Sequence, residues 1–169
     1  MKIEMKGDIT VNASASKVWK ILARDFGDIG QWASIIINSK AITDNEGSGD
    51  GKLTGRVCSA QGFGDTVEEL THFDEDAMRF TYKAIKGLPF FIKSAKNNWS
   101  VHSLSENETM VKSCAEIAMP FFPGIILAPI FKFMMGGKGK EMFEELKFYV
   151  EQGQPHPRKE KQLQASNKV

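Results

Sequence analysis

The sequence predicts an α+β domain: a curved antiparallel sheet of seven strands wrapped around one long C-terminal helix, with two short helices after the first strand. Three observations carry this expectation. Six consecutive segments in the middle of the chain read as strands joined by short turns, which makes an antiparallel meander rather than alternating parallel units. One long segment near the C-terminus carries a helical apolar period. The 169 residues, 41% of them apolar and with a net charge of +1, have the composition of one ordinary core.

The first strand is an alternation of Ile3, Met5, Ile9 and Val11 with Lys2, Glu4, Lys6, Asp8 and Thr10, bent or bulged at Gly7. Ser14 or Ser16 then caps a helix whose apolar face is Val18, Trp19, Ile21, Leu22 and Phe26. Gly27 stops it, and a second short turn reaches Trp32. Strands are expected at 35–43, 52–60, 66–73, 78–85, 91–104 and 109–119. Between them lie a glycine-rich cluster at 44–51, a reversal at 62–65, the acidic turn 74–76, a Gly-Leu-Pro break at 86–89 and a turn at 105–108.

The long helix is expected over 124–152, with Ile126, Ile130, Met134, Met142, Leu146, Tyr149 and Val150 facing inward and a weak Lys140–Glu144 pair outside. Gly136, Gly137 and Gly139 interrupt it. Each interior glycine costs about 1 kcal/mol relative to alanine. One reading is a kink or break; the other is room for a ligand, or freedom to flex. The domain is expected to span 1–153. Pro155 and Pro157 end the helical pattern, so 154–169 is expected to be a disordered tail.

Composition also excludes. A net charge of +1, with no basic surface interleaved with aromatics, disfavours nucleic acid. The N-terminus has no apolar leader core, so a cytoplasmic protein is expected. The greasy run 119–135 contains Pro120, Pro123, Pro129 and Lys132 and does not read as a span. It reads as a buried connection and helix start, with a lid, a dimer contact or a transient membrane contact as alternatives. His72, His102 and His156 lack partners at metal spacing, and the 62–64 glycines lack the Lys-Ser/Thr of a phosphate loop, so neither metal nor cofactor is expected. Cys58 and Cys114 read as packing residues.

Phe outnumbers Tyr 12 to 2, and there are 8 Met. Such a core is soft and apolar. A helix standing off a concave sheet leaves a cavity, so a mostly apolar small-molecule ligand is expected there.

Several stretches carry a resemblance. Ala13-Ser14-Ala15-Ser16-Lys17-Val18-Trp19, the FGDIGQW at 26–32, Gly55-Arg56-Val57 joined through Gly62-Phe63-Gly64 to Val67-Glu68-Glu69-Leu70, Asp74-Glu75-Asp76, Phe80-Thr81-Tyr82 and Trp99-Ser100-Val101 stand in a familiar order. Over residues 3–152 the chain resembles the helix-grip fold of the SRPBCC superfamily, which includes START lipid-transfer domains, birch-pollen-allergen relatives, abscisic-acid receptors and polyketide cyclase/dehydrase-type proteins. The resemblance implies binding of a hydrophobic small molecule. Its alternatives are a cyclase/dehydrase-type enzyme acting on a hydrophobic oxygenated substrate, and a lipid or quinone carrier; whether the chain is an enzyme stays open.

Strand parity nominates the site. Tyr82 shares parity with Phe80, Asn97 with Trp99, and Ser113 with Val111 and Ala115. Glu68 is ambiguous by pattern. The resemblance turns it inward, while pairing with Arg56 on the neighbouring strand is the competing reading. The candidate catalytic groups are Glu68 and Tyr82. The candidate ligand contacts are Asn38, Arg56, Phe80, Asn97, Trp99, Ser113 and Met134. Asn38 falls where the resemblance places a charged anchor for a ligand carboxylate, a charge Asn does not supply.

Overall fold

The computed structural model describes residues 1–45, 51–62 and 64–166. Most of the 44–51 turn cluster, and Phe63 of the reversal, lie outside them. Strand β1 (Lys2–Val11) leads into helix α1 (Ala15–Trp19), which continues as a wider turn over Lys20–Arg24 and then a tight turn over Phe26–Gln31. Ser14 caps α1 by accepting the Lys17 amide. Strands β2 (Ile36–Thr43), β3 (Leu53–Ala60), β4 (Gly64–Asp74), β5 (Arg79–Lys86), β6 (Ser94–Ser105) and β7 (Glu108–Ala118) follow. All pair antiparallel in one sheet of order β1-β7-β6-β5-β4-β3-β2. The expected seven strands and their order are therefore present. β1 closes the meander by pairing with β7, from Lys2 opposite Ala118 to Val11 opposite Thr109.

Helix α2 (Phe121–Gln152) lies across the inner face of the sheet. It starts earlier than the sequence suggested and runs through Gly136–Gly139 without a break; its one interruption is at Phe122, where φ is −119° and ψ 130°. Gly153 ends it at φ +70°, with its N–H donated to the Tyr149 carbonyl. At Gly7, where a bend was expected, the reason for glycine is proximity: a Cβ there would lie 2.5 Å from the Phe143 ring.

The expected inner face of α2 is corrected in its first half. Ile126, Ile130 and Met134 are exposed, and the stripe against the sheet is instead Ala128, Phe131, Met135, Met142, Phe143, Leu146 and Val150. Nearly every side chain from 121 to 135 is apolar, so hydrophobicity alone cannot set the phase there. The phase comes from counting back from Leu146 and Val150. Glu144 pairs with Arg158 rather than Lys140.

The tail is also corrected. Pro157 does not end structure but begins helix α3 (Pro157–Ser166), the position where a missing N–H costs nothing. Two buried charges dock it. The Glu145 carboxylate accepts the Ser34 amide at 2.8 Å, the Ser34 hydroxyl at 2.7 Å and Arg158 Nε at 2.9 Å. Lys159 Nζ donates to the Ile36 carbonyl and to Gln162 Oε1, both at 2.6 Å. Burial pushes this ammonium down to about 8, against the opposing pull of Glu145.

The interior divides into two apolar clusters. The larger joins Trp19, Phe26, Phe80, Trp99, Phe143 and Leu146. Its rings meet in series: Trp19 and Phe80 at 5.8 Å, Phe80 stacked on Trp99 at 6.5 Å, Trp99 tilted on Phe143 at 5.5 Å. The smaller sits at the other end of the sheet around Ile3, Ile92, Ile117, Met119 and Phe131.

Candidate functional site

Between those clusters the inner face changes character. Along β7, Val111 and Ile117 are buried, whereas Ser113 and Ala115 between them are half-buried. Along β1, Ile3 and Val11 are buried and Met5, Gly7 and Ile9 are half-buried. On β6, Ala95 and Asn97 are more open than Trp99 and Val101. Solvent thus reaches the middle of the face that α2 covers. Gly139 lies on the inner stripe of α2, four residues from both Met135 and Phe143, and a Cβ added to it would meet no atom within 4 Å. The helix stands off its neighbours at this point.

A line of polar groups crosses the same region. Pairing sets Arg56 opposite Glu68, Tyr82 opposite Asn97, and Asn97 opposite Ala115. Glu68 Oε2 accepts Arg56 Nε at 2.6 Å and lies 2.6 Å from Nη2. Arg56 Nη1 donates to the Phe26 carbonyl at 3.0 Å, and the guanidinium lies 3.8 Å over the Phe26 ring and 5.0 Å from the Tyr82 ring. Both readings of Glu68 therefore hold together: it turns inward and it pairs with Arg56. Burial works against the Arg56 charge, but Glu68, Tyr82 and Cys58 together outweigh it and raise the guanidinium.

Next along the line, Ser113 Oγ donates to Asn97 Oδ1 at 2.8 Å, and Asn97 Nδ2 donates to the Tyr82 hydroxyl at 3.4 Å. Burial, then the nearby Glu68 charge, raises the Tyr82 phenol, so it keeps its proton at neutral pH and acts as a donor. Phe80 and Trp99 wall the line with their stacked rings.

Seven of the nine nominated residues are thus together: Arg56, Glu68, Phe80, Tyr82, Asn97, Trp99 and Ser113. Two are elsewhere. Asn38 is exposed, because the register shift between Ile36 and Asn38 turns the following β2 side chains over; Ser39 faces inward instead, accepting the Gly30 amide and donating to the Gly27 carbonyl. Met134 is 60% exposed on the outer side of α2. Sequence reasoning missed Gly139 as an inward position, and it missed Phe26 as the partner of Arg56. The apolar face Val18, Trp19, Ile21, Leu22 and Phe26 of the first helix placed Phe26 inward but gave no sign of what would lie on its ring.

The preformed cavity expected from sequence is not found at this line. The space walled by Phe26, Trp32, Arg56, Phe80, Tyr82 and Trp99 amounts to about 10 Å³, room for about one water. A larger open groove of about 600 Å³ lies on the opposite face of the sheet, lined by Lys6, His72, Arg79, Asn98 and Lys112 among others. Cys58 is buried, with its thiol pushed up to about 11 by burial, and Cys114 is half-buried; neither is in a disulfide. Among the described residues no three His, Cys, Asp or Glu side chains converge as metal ligands, and no helix is long and apolar enough to cross a membrane.

A seven-stranded antiparallel sheet gripping one long helix, with an aromatic-walled polar line beneath it, defines the helix-grip class of START-like domains. The chain belongs to the family described as polyketide cyclase / dehydrase and lipid transport, whose pattern matches residues 2–151. No curated protein matches it by sequence. Solved structures share the fold. A START superfamily protein from Mycobacterium smegmatis superposes with a TM-score of 0.71 at 18% identity, covering 88% of this chain and 97% of that one. A protein from Thermus thermophilus gives 0.72 at 15% identity, covering 89% and 99%. A Thalictrum norcoclaurine synthase point mutant, solved with a transition-state analogue, gives 0.67 at 15% identity, covering 90% and 96%. The family is thus that of polyketide cyclase / dehydrase and lipid-transport domains, and the fold is START-like.

Proposed function

We propose that the domain binds a mostly apolar small molecule on the inner face of the sheet, beneath the middle of α2. One observation carries this reading: inward-facing positions are buried at both ends of β1 and β7 but half-buried between, under a helix residue with no side chain. The water-sized space beside Arg56 means that the ligand-bound form is opened relative to this one. Native mass spectrometry of the protein purified from its host is the test. An adduct of a few hundred daltons, released on denaturation, is expected. Purely apo protein that also fails to take up any offered apolar compound would overturn the reading.

The enzyme alternative has support of its own, because a protonated Tyr82 lies in the field of the Glu68 carboxylate, as a cyclase or dehydrase needs. Under that reading Glu68→Gln abolishes turnover and spares binding.

The carrier alternative is supported by the outer side of α2. Phe121, Phe122, Ile125, Ile126, Ile130, Phe133 and Met134 are all exposed. The sequence from 117 to 140 has no Asp or Glu but has Lys132, Lys138 and Lys140. Apolar side chains with flanking lysines suit an anionic bilayer surface. Flotation with phosphatidylserine-containing vesicles is expected to carry the protein upward, and its absence from every vesicle fraction would count against the carrier.

A further inference from the structure

Within the pocket proposed above, and resting on that reading, the hydrogen-bonding inventory specifies the ligand more closely than its greasiness does. We infer that the ligand is electrically neutral and presents an acceptor oxygen of the carbonyl type to Tyr82 and Asn97.

Arg56 spends Nε and Nη2 on Glu68 and Nη1 on the Phe26 carbonyl, and two aromatic rings lie against its guanidinium. It has no free fork with which to hold a ligand carboxylate. Among the described residues that wall the space beside Arg56, the other charged side chain is Asp25, itself negative and paired with Lys20 at 2.7 Å. Arg56 and Glu68 cancel, so among the described residues the line carries no uncompensated cation. An anionic head group placed there would lose its water and gain no counter-charge.

The donors that remain free point one way. The Tyr82 oxygen already accepts from Asn97, and its own proton has no acceptor among the described residues. Asn97 uses Oδ1 to accept from Ser113 and one Nδ2 proton on Tyr82, so its second Nδ2 proton is free. Two neighbouring uncommitted donors on the half-buried part of the face are complementary to one oxygen with two lone pairs. A ketone, ester, aldehyde or quinone carbonyl meets that requirement without a charge.

The test compares three naphthalenes of similar size by calorimetric titration at pH 7.5: 2-acetonaphthone, 2-ethylnaphthalene and 2-naphthoate. The ketone is expected to bind roughly tenfold tighter than the hydrocarbon, as two modest hydrogen bonds provide, and the carboxylate more weakly than either. Tyr82→Phe, checked for an unchanged melting temperature, is expected to remove most of the ketone's advantage while leaving 2-ethylnaphthalene binding where it was; Asn97→Ala provides the same readout should Tyr82→Phe fold poorly. Naphthoate binding as tightly as the ketone would overturn this inference and leave the apolar-pocket reading standing, as would a ketone no better than the hydrocarbon. Binding of none of the three would overturn the pocket reading and this inference with it.

Discussion

The two halves of α2 follow opposite rules. From Met142 to Val150 the helix is amphipathic in the ordinary way: Phe143, Leu146 and Val150 are at most 9% exposed, and the charged side chains look outward or hold α3. From Phe121 to Met135 nearly every side chain but Lys132 is apolar, and the sheet covers only one side of the helix. Gly136, Gly137 and Gly139 join the halves, and none would touch anything with a Cβ. The C-terminal half is therefore what stabilises the fold. The N-terminal half carries more apolar surface than folding uses, and the glycines mark where the helix leaves the sheet accessible.

That contrast can be broken at several points. The largest effect belongs to the packed half: Leu146→Ala is expected to cost about 2–5 kcal/mol, because its side chain is fully buried, and chemical denaturation measures it. Arg56→Met should cost about 3 kcal/mol by leaving Glu68 inward and unpaired. The double variant Arg56→Met/Glu68→Leu should recover much of that loss; no recovery would mean that Arg56 stabilises through its aromatic contacts instead.

A smaller effect is expected at α3 and depends on pH. Lys159 ionises near 8 when docked and near 10.5 when free. Below 8 both forms are charged and docking bears the whole cost of burying the ammonium. Between 8 and 10.5 the free form alone binds the proton, so docking strengthens as pH rises through that window. The melting temperature of the natural protein relative to Lys159→Met should therefore increase from about pH 7 to about pH 9.5, and a flat difference would show that the ammonium stays charged throughout. The smallest effect belongs to the exposed half. Phe133 is 86% exposed, so Phe133→Ala should change stability by no more than about 0.5 kcal/mol. Under the carrier reading, flotation with phosphatidylserine-containing vesicles falls in the same variant.

The strands and their order were legible because alternation and turn residues both act locally, and the parity that put Tyr82, Asn97, Trp99 and Ser113 on one face followed from them. Three features were not legible. Asn38 turned outward because a single bulge reverses parity, and nothing in the Ile-Ile-Asn-Ser stretch announces one. Ile126, Ile130 and Met134 were misplaced because a helix apolar all round has no preferred phase until its neighbour is known. α3 was missed because its sequence is polar and buries through Lys159 docked against backbone carbonyls 122 and 123 residues away, together with the Arg158–Glu145 pair. Long-range polar docking of that kind leaves no periodic trace.

The central claim is that the space beneath Gly139 takes the ligand, and Gly139→Leu tests it most directly. Apart from the helix's own backbone, no atom lies within 4 Å of a Cβ there, and leucine is a better helix former than glycine by roughly 1 kcal/mol. The variant is expected to melt no lower than the natural protein and to lose binding of 2-acetonaphthone. A variant that folds as well and binds the ketone with undiminished affinity would contradict the account.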